Sequence, residues 1–176
     1  MPSRRPITRN RFSPTSRQSQ ACGRSDSFGD PNEMIRRAER HDAAAVLSLA
    51  KDFATSFVVD ESAFTQAFAE LITSHSACLA VAEVDGKIVG YVLAFSHQTF
   101  YANGRVAWVE ELMVGESFRR AGIGRDLVTE VENWSAQQGC QLIALATRRA
   151  AEFYKVLDYK ESAIYFRKLH PGRPSS

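Results

Sequence analysis

The strongest constraint on the fold is a strand pattern that passes through a glycine- and arginine-rich loop into a helix pattern. Residues 105–114 are rich in β-forming residues, and an amphipathic segment runs from about Gly122 to Gln138. At the junction lie Arg119, Arg120, Ala121, Gly122, Ile123, Gly124 and Arg125. Glycines let backbone N–H groups approach an anion closely, a helix start adds its positive dipole end, and arginines bind phosphate. The junction therefore predicts an α/β chain that holds a pyrophosphate group.

Two other phosphate-binding motifs do not fit this loop. A dinucleotide-binding loop has a third glycine and follows the first strand, whereas this loop follows the fourth predicted strand. A P-loop requires a Gly-Lys-Ser or Gly-Lys-Thr triplet, which the loop lacks. The structural alternative is a glycine turn with solvated arginines, and three arginines within seven residues argue against it.

Hydrophobic periodicity extends the pattern over the rest of the chain. It predicts the order β-α-α-β-β-β-α-β-α-β, which is a mixed sheet with helices on both faces. The predicted strands cover residues 34–38, 78–84, 87–95, 105–114, 140–146 and about 159–169. The predicted helices begin at Asp42, at Asp60 and at Gly122, with a short fourth helix through Phe153 and Tyr154.

Several local signals set the limits of these elements. Asp42 and Asp60 are predicted N-caps, and Gly139 is a predicted helix stop. The pair Asp85-Gly86 between two β-rich runs predicts a tight hairpin. Residues 140–146 are almost wholly apolar, which is typical of a strand buried on both faces.

The basic balance of the chain lies in its first 32 residues. Six arginines there stand against two aspartates, a net charge of +4, which leaves −2 for the remainder of a chain whose total is +2. The segment is rich in Arg, Ser and Pro and poor in apolar residues, so we expect residues 1–32 to be disordered. A nucleic-acid-binding arm, a targeting peptide and an inert extension all fit this composition, and Met34 is a candidate natural start.

Cysteine spacing and hydropathy indicate the compartment in which the protein is expected. The three cysteines are far apart and show no zinc-type spacing, so we expect free thiols, no metal site and a reducing, cytoplasmic compartment. Cys78 and Cys140 lie on apolar strands, where a small buried side chain is expected. No apolar run approaches the roughly 20 residues of a membrane span.

Two motifs give residues 33–170 a family resemblance. Arg119, Gly122 and Gly124 match the pattern Gln/Arg-x-x-Gly-x-Gly/Ala, and Phe153-Tyr154-Lys155-Val156-Leu157-Asp158-Tyr159 matches a later Phe-Tyr-x-x-Leu-Gly-Tyr/Phe. In this order and spacing they resemble the GCN5-related N-acetyltransferase (GNAT) superfamily. Asp158 replaces the usual glycine of the second motif, and aspartate tolerates the left-handed backbone better than most residues.

The resemblance implies a mostly antiparallel GNAT-like sheet and an acetyl-CoA co-substrate. The cofactor would lie in a gap between the fourth and fifth strands and pair with the backbone of Leu112, Met113 and Val114. Its pyrophosphate would sit on the N–H groups of residues 119–124, and Arg125 would be a further cofactor-binding residue. Thr147 lies near a position where some members place an asparagine that contacts the cofactor. On this view residues 33–170 form the catalytic domain, and residues 171–176 form a short C-terminal tail.

The resemblance also implies the catalytic groups. Glu110 is the candidate base, acting through water, and Tyr154 is the candidate acid toward the CoA sulfur. Glu110 and Glu111 are adjacent on a strand and are expected to point to opposite faces, so that only one faces the acetyl group. Glu111 is either an amine contact or structural, and the choice of base between the two stays open. Trp108 is expected on the face of Glu110, where it lines the acceptor pocket or packs in the core.

The sequence thus predicts an acetyl-CoA-dependent N-acetyltransferase that moves acetyl to a primary amine by direct attack in a ternary complex. A non-catalytic acyl-CoA-binding sensor of the same fold is the alternative. The net charge of −2 outside the tail argues against nucleic-acid binding. The acceptor, either a small molecule or a peptide amine, is not determined, and a homodimer is expected from the resemblance alone.

Overall fold

A five-stranded mixed sheet forms the centre of the molecule, in a computed structural model that describes residues 33–54 and 57–168. Its strands are β1 Glu33–Arg37, β2 Ala77–Val84, β3 Lys87–Thr99, β4 Gly104–Val114 and β5 Cys140–Leu145. The α-helices are α1 Ala43–Phe53, α2 Glu61–Leu71, α3 Ile123–Gln137 and α4 Ala151–Val156. The strands follow one another in sequence order across the sheet. The predicted basic tail and the residues after 168 lie outside the described part of the chain.

Strand directions confirm the predicted sheet. Each pair from β1 to β4 is antiparallel, and β5 runs parallel to β4 because α3 carries the chain back across the sheet. The β2–β3 hairpin turns at Asp85 and Gly86, whose φ angles of 51° and 74° are those of the predicted tight turn. The chain leaves α3 through Gly139 at φ 69°, which confirms the predicted helix stop.

Helices cover the two faces of the sheet, as predicted. Helices α1 and α2 pack with Val81, Tyr91 and Leu93 on one face, and α3 packs through Leu127 and Val131 on the other. The helical periodicity of α3 therefore buries its apolar side against β2, β3 and β4. No described helix is both long and apolar enough to cross a membrane.

The two predicted N-caps have different outcomes. Asp60 caps α2, because its carboxylate accepts a hydrogen bond from the Ala63 N–H at 2.8 Å. Asp42 makes no such bond to α1. Its carboxylate is buried and instead pairs with the Arg36 guanidinium at 2.7 Å and accepts from the Glu39 N–H at 2.8 Å. Asp42 therefore occupies the predicted N-cap position of α1, but its side chain does not cap the helix because a tertiary partner on β1 competes for the carboxylate.

The end of the described chain also departs from the prediction. Residues 159–168 form no strand, although a strand was predicted at about 159–169. Among the described residues, strand β5 is consequently an edge strand, and its residues are half-buried or exposed instead of buried on both faces. An apolar run identifies a strand but does not reveal whether a neighbour covers it.

Candidate functional site

A β-bulge in β4 determines where the two adjacent glutamates lie. Leu93 of β3 faces Glu111, and the next β3 residue faces Val109, so Glu110 is an extra residue without a partner on β3. Val109 and Leu112 both pack in the cluster that contains α3. The simple alternation of faces is therefore broken between them, and Glu110 and Glu111 line the same cavity. The prediction that they point to opposite faces was wrong because of this bulge.

A buried tyrosine holds the second glutamate. Tyr91 on β3 is 1% exposed, and its hydroxyl donates a hydrogen bond of 2.5 Å to the Glu111 carboxylate. Burial raises the pKa of Tyr91, and the neighbouring Glu111 charge raises it further, so the hydroxyl stays protonated and remains a donor. This bond anchors one oxygen of Glu111 at the floor of the cavity.

Strands β4 and β5 separate beside the bulge. Their last register pair joins Val109 to Leu145, the final residue of β5, whereas β4 continues to Val114. Residues 110–114 of β4 therefore have no β5 partner. A gap with an unpaired strand backbone on one side can accept an extended ligand in the manner of an added strand.

The loop after β4 leads into an uncapped helix start. Arg119 is held against the strand end by a 3.1 Å hydrogen bond from its Nε to the Val114 carbonyl. Gly122 at the N-cap of α3 has φ 100° and gives the helix no side-chain cap. The Asp126 N–H bonds to the Gly122 carbonyl at 3.1 Å, and the first N–H groups of a helix lack intrahelical partners. The helix start therefore presents donors and positive dipole to an anion.

Other residues of the predicted phosphate loop take local roles. Arg120 has a positive φ of 65° and an exposed side chain at the tip of the loop. Arg125 forms an ion pair of 3.2 Å with the adjacent Asp126, within the first turn of α3. Ile123 is buried in the α3 cluster, so its side chain fixes the helix to the sheet while its backbone belongs to the loop.

The site is one large cavity of about 1280 Å³ between the sheet, α1, α2 and α4. It brings together predicted residues from β4, from the loop that follows it and from α4. These are Glu110, Glu111, Leu112, Met113, Val114, Arg119 and Tyr154. Residues 120–125 are not among its lining residues, although they adjoin Arg119. Trp108 does not line it either; this side chain is half-buried beside Phe95 in the β3–β4 ladder.

Tyr154 lies at the α4 side of the cavity. The residue is 8% exposed and makes edge-to-face contacts with Phe153 and Tyr159, at ring-centroid distances of 4.9 and 5.7 Å. Burial raises the pKa of Tyr154, so its hydroxyl stays protonated and can serve as a proton donor. The ring packing fixes the direction of the phenol.

Both cysteines on the predicted strands behave as packing residues. Cys78 is fully buried, and burial raises the pKa of its thiol to about 11. Burial also raises the pKa of Cys140. Both are free thiols that stay neutral at physiological pH and are therefore poor nucleophiles. The described residues include no group of three or more His, Cys, Asp or Glu side chains placed to hold a metal ion.

Several cavity residues were not predicted as site residues. Tyr91 resembles any core residue of a buried strand, and only the β3–β4 register brings it to Glu111. Arg148 and Arg149 line the cavity shortly after β5, and their signal was a pair of cations that begins three residues after an apolar strand. Thr147, which the family resemblance already placed near a cofactor-contact position, also lines the cavity, and its hydroxyl accepts a hydrogen bond from the Ala150 N–H at 3.0 Å, at the start of α4.

Comparison with known families agrees with this geometry. The model of the acetyltransferase (GNAT) family matches residues 43–159, which is well over half of the chain. The matched span begins with α1 and ends at Tyr159, and therefore includes the bulge, the loop and α4.

The similar individual proteins and solved structures also include acetyltransferases. The chain is 27% identical over 141 residues to thialysine N-epsilon-acetyltransferase from Bos taurus, covering 70% of this chain and 82% of the relative. Glucosamine-6-phosphate N-acetyltransferase from Arabidopsis thaliana superposes with a TM-score of 0.70 at 21% identity, over 78% of this chain and 97% of that one. The structure of AAC(6')-Iy with a CoA-S-monomethyl-acetylneamine bisubstrate analog superposes with a TM-score of 0.65 at 20% identity, over 78% and 99%. At these low identities the two solved structures show that the fold is similar and nothing more.

Proposed function

The chain belongs to the acetyltransferase (GNAT) family and is an acetyltransferase, and we propose that it moves acetyl from acetyl-CoA to a primary amine by direct attack in a ternary complex. We assign this activity to residues 33–170, whose described part contains the whole cavity. The observation that carries the proposal is the gap beyond Val109 and Leu145, which opens beside both glutamates of the bulge.

The gap and the loop together suit acetyl-CoA. The backbone of residues 110–114 has no β5 partner, and on that side it can bind the pantetheine arm, whose amides need strand-like partners. The start of α3 and Arg119 can bind the pyrophosphate through backbone N–H groups and charge. A cofactor bound in this way would have its thioester beside the bulge. The bisubstrate analog bound to AAC(6')-Iy contains a CoA moiety, which supports the same co-substrate here.

Acetyl transfer requires three proton and charge movements. The amine must lose a proton before its nitrogen attacks the thioester carbon, and we assign that proton to Glu110 through water. A backbone N–H near Leu112 or Met113 would stabilise the oxyanion of the tetrahedral intermediate. When the C–S bond breaks, the thiolate takes a proton from the Tyr154 hydroxyl. The products are an acetylated amine and free CoA.

The acceptor that fits the cavity is a small cationic amine. Glu110 and Glu111 line the inner part, and Asp52 and Asp60 add carboxylates from the α1–α2 side. Four arginines line the same cavity and balance these four carboxylates, so the preference for a positively charged acceptor rests on the two glutamates that the bulge brings together. Thialysine N-epsilon-acetyltransferase and the aminoglycoside N(6')-acetyltransferase of Salmonella typhimurium, relatives at 27% identity, are named for small-molecule amines.

The test is a thiol-release assay with acetyl-CoA and a panel of polyamines, aminoglycosides, amino acids and lysine peptides. We expect turnover with at least one small amine, and initial-rate patterns that intersect, as a ternary complex requires. Glu110→Gln and Tyr154→Phe should each lower kcat by about 10²-fold or more. Acetyl-CoA should still bind both variants, as measured by calorimetry, because neither side chain is needed for the pyrophosphate.

The matched control is Glu61→Gln, an exposed glutamate at the start of α2 that pairs only with Lys51 among the described residues and does not line the cavity. It should keep the wild-type rate. Parallel initial-rate lines would contradict direct attack. Tight acetyl-CoA binding without thiol release from any amine would favour the sensor alternative.

A further inference from the structure

The cavity contains two adjacent arginines that the proposed reaction does not use. Arg148 and Arg149 lie in the loop between β5 and α4, and their exposed side chains line the cavity. Neither side chain makes an ion pair or a hydrogen bond with another described residue. An unpaired guanidinium group can bind an anion, and its planar fork suits a carboxylate or a phosphate. We call these two residues the arginine pair.

The carboxylates of the cavity do not neutralise the arginine pair. Glu111 accepts a hydrogen bond from Tyr91, and Asp60 caps α2. The carboxylate of Glu110 makes no ion pair or hydrogen bond with another described residue. The cavity thus holds carboxylates and guanidinium groups in one space without joining them. Opposite charges that stay apart in this way can both pair with a ligand that carries both signs.

The loop that carries the arginine pair begins at the bulge end of the gap. Val109, the residue before the two glutamates, pairs with Leu145, and Arg148 follows Leu145 by three residues, a chain length of at most about 11 Å. Arg119 is fixed to the other end of the gap through the carbonyl of Val114, about 17 Å further along β4. The arginine pair and the proposed pyrophosphate site are therefore attached to opposite ends of the gap.

A side-chain hydrogen bond closes the loop around the arginine pair. The Thr147 hydroxyl accepts from the Ala150 N–H at 3.0 Å, so residues 147–150 form a turn with the two arginines at its central positions. Two adjacent cations at the tip of a turn create a local positive potential, which a bound anionic group would reduce. The loop therefore presents both guanidinium groups to the cavity together.

We propose that the acceptor carries an anionic group, a carboxylate or a phosphate, on the same molecule as its primary amine, and that Arg148 and Arg149 bind this group. The amine would lie beside Glu110 and Glu111, and the molecule would reach from the bulge to the loop after β5. Its two charges would match the carboxylates and arginines that line the cavity. The inference rests on the proposed transfer to an amine and names the class of acceptor. The arginine pair would determine specificity and take no part in proton transfer.

The test measures kcat/KM for pairs of acceptors that differ only in the anionic group. β-Alanine, γ-aminobutyrate and lysine are each compared with their carboxamides, and glucosamine 6-phosphate is compared with glucosamine. The wild type should prefer the charged member of at least one pair by about tenfold or more, because the neutral member loses the charge-assisted hydrogen bonds to the arginines. The carboxylate pairs and the phosphate pair show which of the two anions is bound.

Two double variants and one control connect the preference to the arginine pair. Arg148→Gln together with Arg149→Gln should abolish the preference and leave the KM for acetyl-CoA unchanged. Arg148→Glu together with Arg149→Glu should reverse it, so that the neutral member becomes the better acceptor. The matched control is Arg40→Gln, an exposed arginine that does not line the cavity, and it should keep the wild-type preference. Circular dichroism verifies that each variant is folded.

Four results would overturn the inference. Equal kcat/KM for charged and neutral members in the wild type would refute it and leave the proposed function intact. A preference that survives both double variants would show that another group binds the anion. A raised KM for acetyl-CoA with an unchanged acceptor preference would assign the arginine pair to the cofactor phosphates. Thiol release from none of the acceptors would contradict the proposed function itself, and the inference with it.

Discussion

The two glycines of the loop should respond to alanine in opposite ways. Gly122 has φ 100°, a conformation that L-residues rarely adopt, and an added Cβ would lie 3.2 Å from the Arg125 guanidinium. The guanidinium is flexible, so the backbone conformation dominates the cost of Gly122→Ala, about 2 kcal/mol in the free energy of unfolding. Gly124 lies inside α3 without a positive φ, and its added Cβ would meet the Phe153 ring at an ordinary 3.4 Å.

The expected difference can be worked out from these contacts. Alanine stabilises a helix interior by about 0.8–1 kcal/mol relative to glycine, and the contact with Phe153 removes part of that stabilisation. Gly124→Ala should therefore leave the free energy of unfolding unchanged or raise it by about 0.5 kcal/mol. Gly122→Ala should also raise the KM for acetyl-CoA by about tenfold, a loss of roughly 1.4 kcal/mol, because the first N–H groups of α3 are reoriented.

Urea unfolding and initial-rate kinetics on both variants test the argument. Each variant is the control for the other, because both add one methyl group within three residues of chain. Equal unfolding midpoints would refute the strain argument. An unchanged KM for acetyl-CoA in Gly122→Ala would refute the assignment of the α3 start to the pyrophosphate.

Three further substitutions test the core and the site. Asp42→Asn should cost about 2 kcal/mol at neutral pH, because the Arg36 guanidinium loses its buried carboxylate partner and keeps only Glu83, at 2.8 Å. Burial raises the pKa of Asp42, but the hydrogen bonds from Arg36 and the Glu39 backbone outweigh burial and lower it, so this stabilisation is present above about pH 4 and is lost as the pH falls through the lowered pKa. Gly90→Ala should cost about 2 kcal/mol, because its Cβ would lie 2.9 Å from a backbone carbonyl of β4. Tyr91→Phe should raise the KM of the amine about fivefold through the loss of its bond to Glu111, and leave the KM of acetyl-CoA unchanged.

Each of these has a measurement that could contradict it. Denaturant unfolding between pH 2 and pH 7 should show a shallower acid slope for Asp42→Asn than for the wild type, and parallel curves would contradict the ion-pair argument. An unchanged unfolding midpoint in Gly90→Ala would show that β4 can shift at no cost. A rise in both KM values in Tyr91→Phe would indicate a general disturbance of the cavity instead of the positioning of Glu111.

Local patterns determined a large part of this protein. The hairpin at Asp85-Gly86, the buried stripe of α3 and its stop at Gly139 are confirmed, because each depends on a few neighbouring residues whose backbone preferences are strong. The strand β4, the loop after it and the helix α3 are confirmed for the same reason, whereas the phosphate site that they predict stays a prediction. The family resemblance rested on these motifs, and the family match covers them.

Tertiary structure alone decided the arrangement of the site. The bulge that brings Glu110 and Glu111 to one cavity arises from the register of β4 on β3, which alternation within β4 does not reveal. The bond from Tyr91 to Glu111 joins residues twenty positions apart, and the pairing of Arg36 with Asp42 overrides a helix cap. Whether an apolar strand is central or at an edge likewise depends on what pairs with it. The physical reason is common to all four: local preferences act over a few residues, whereas register, burial and charge pairing are set by segments that meet only in the folded chain.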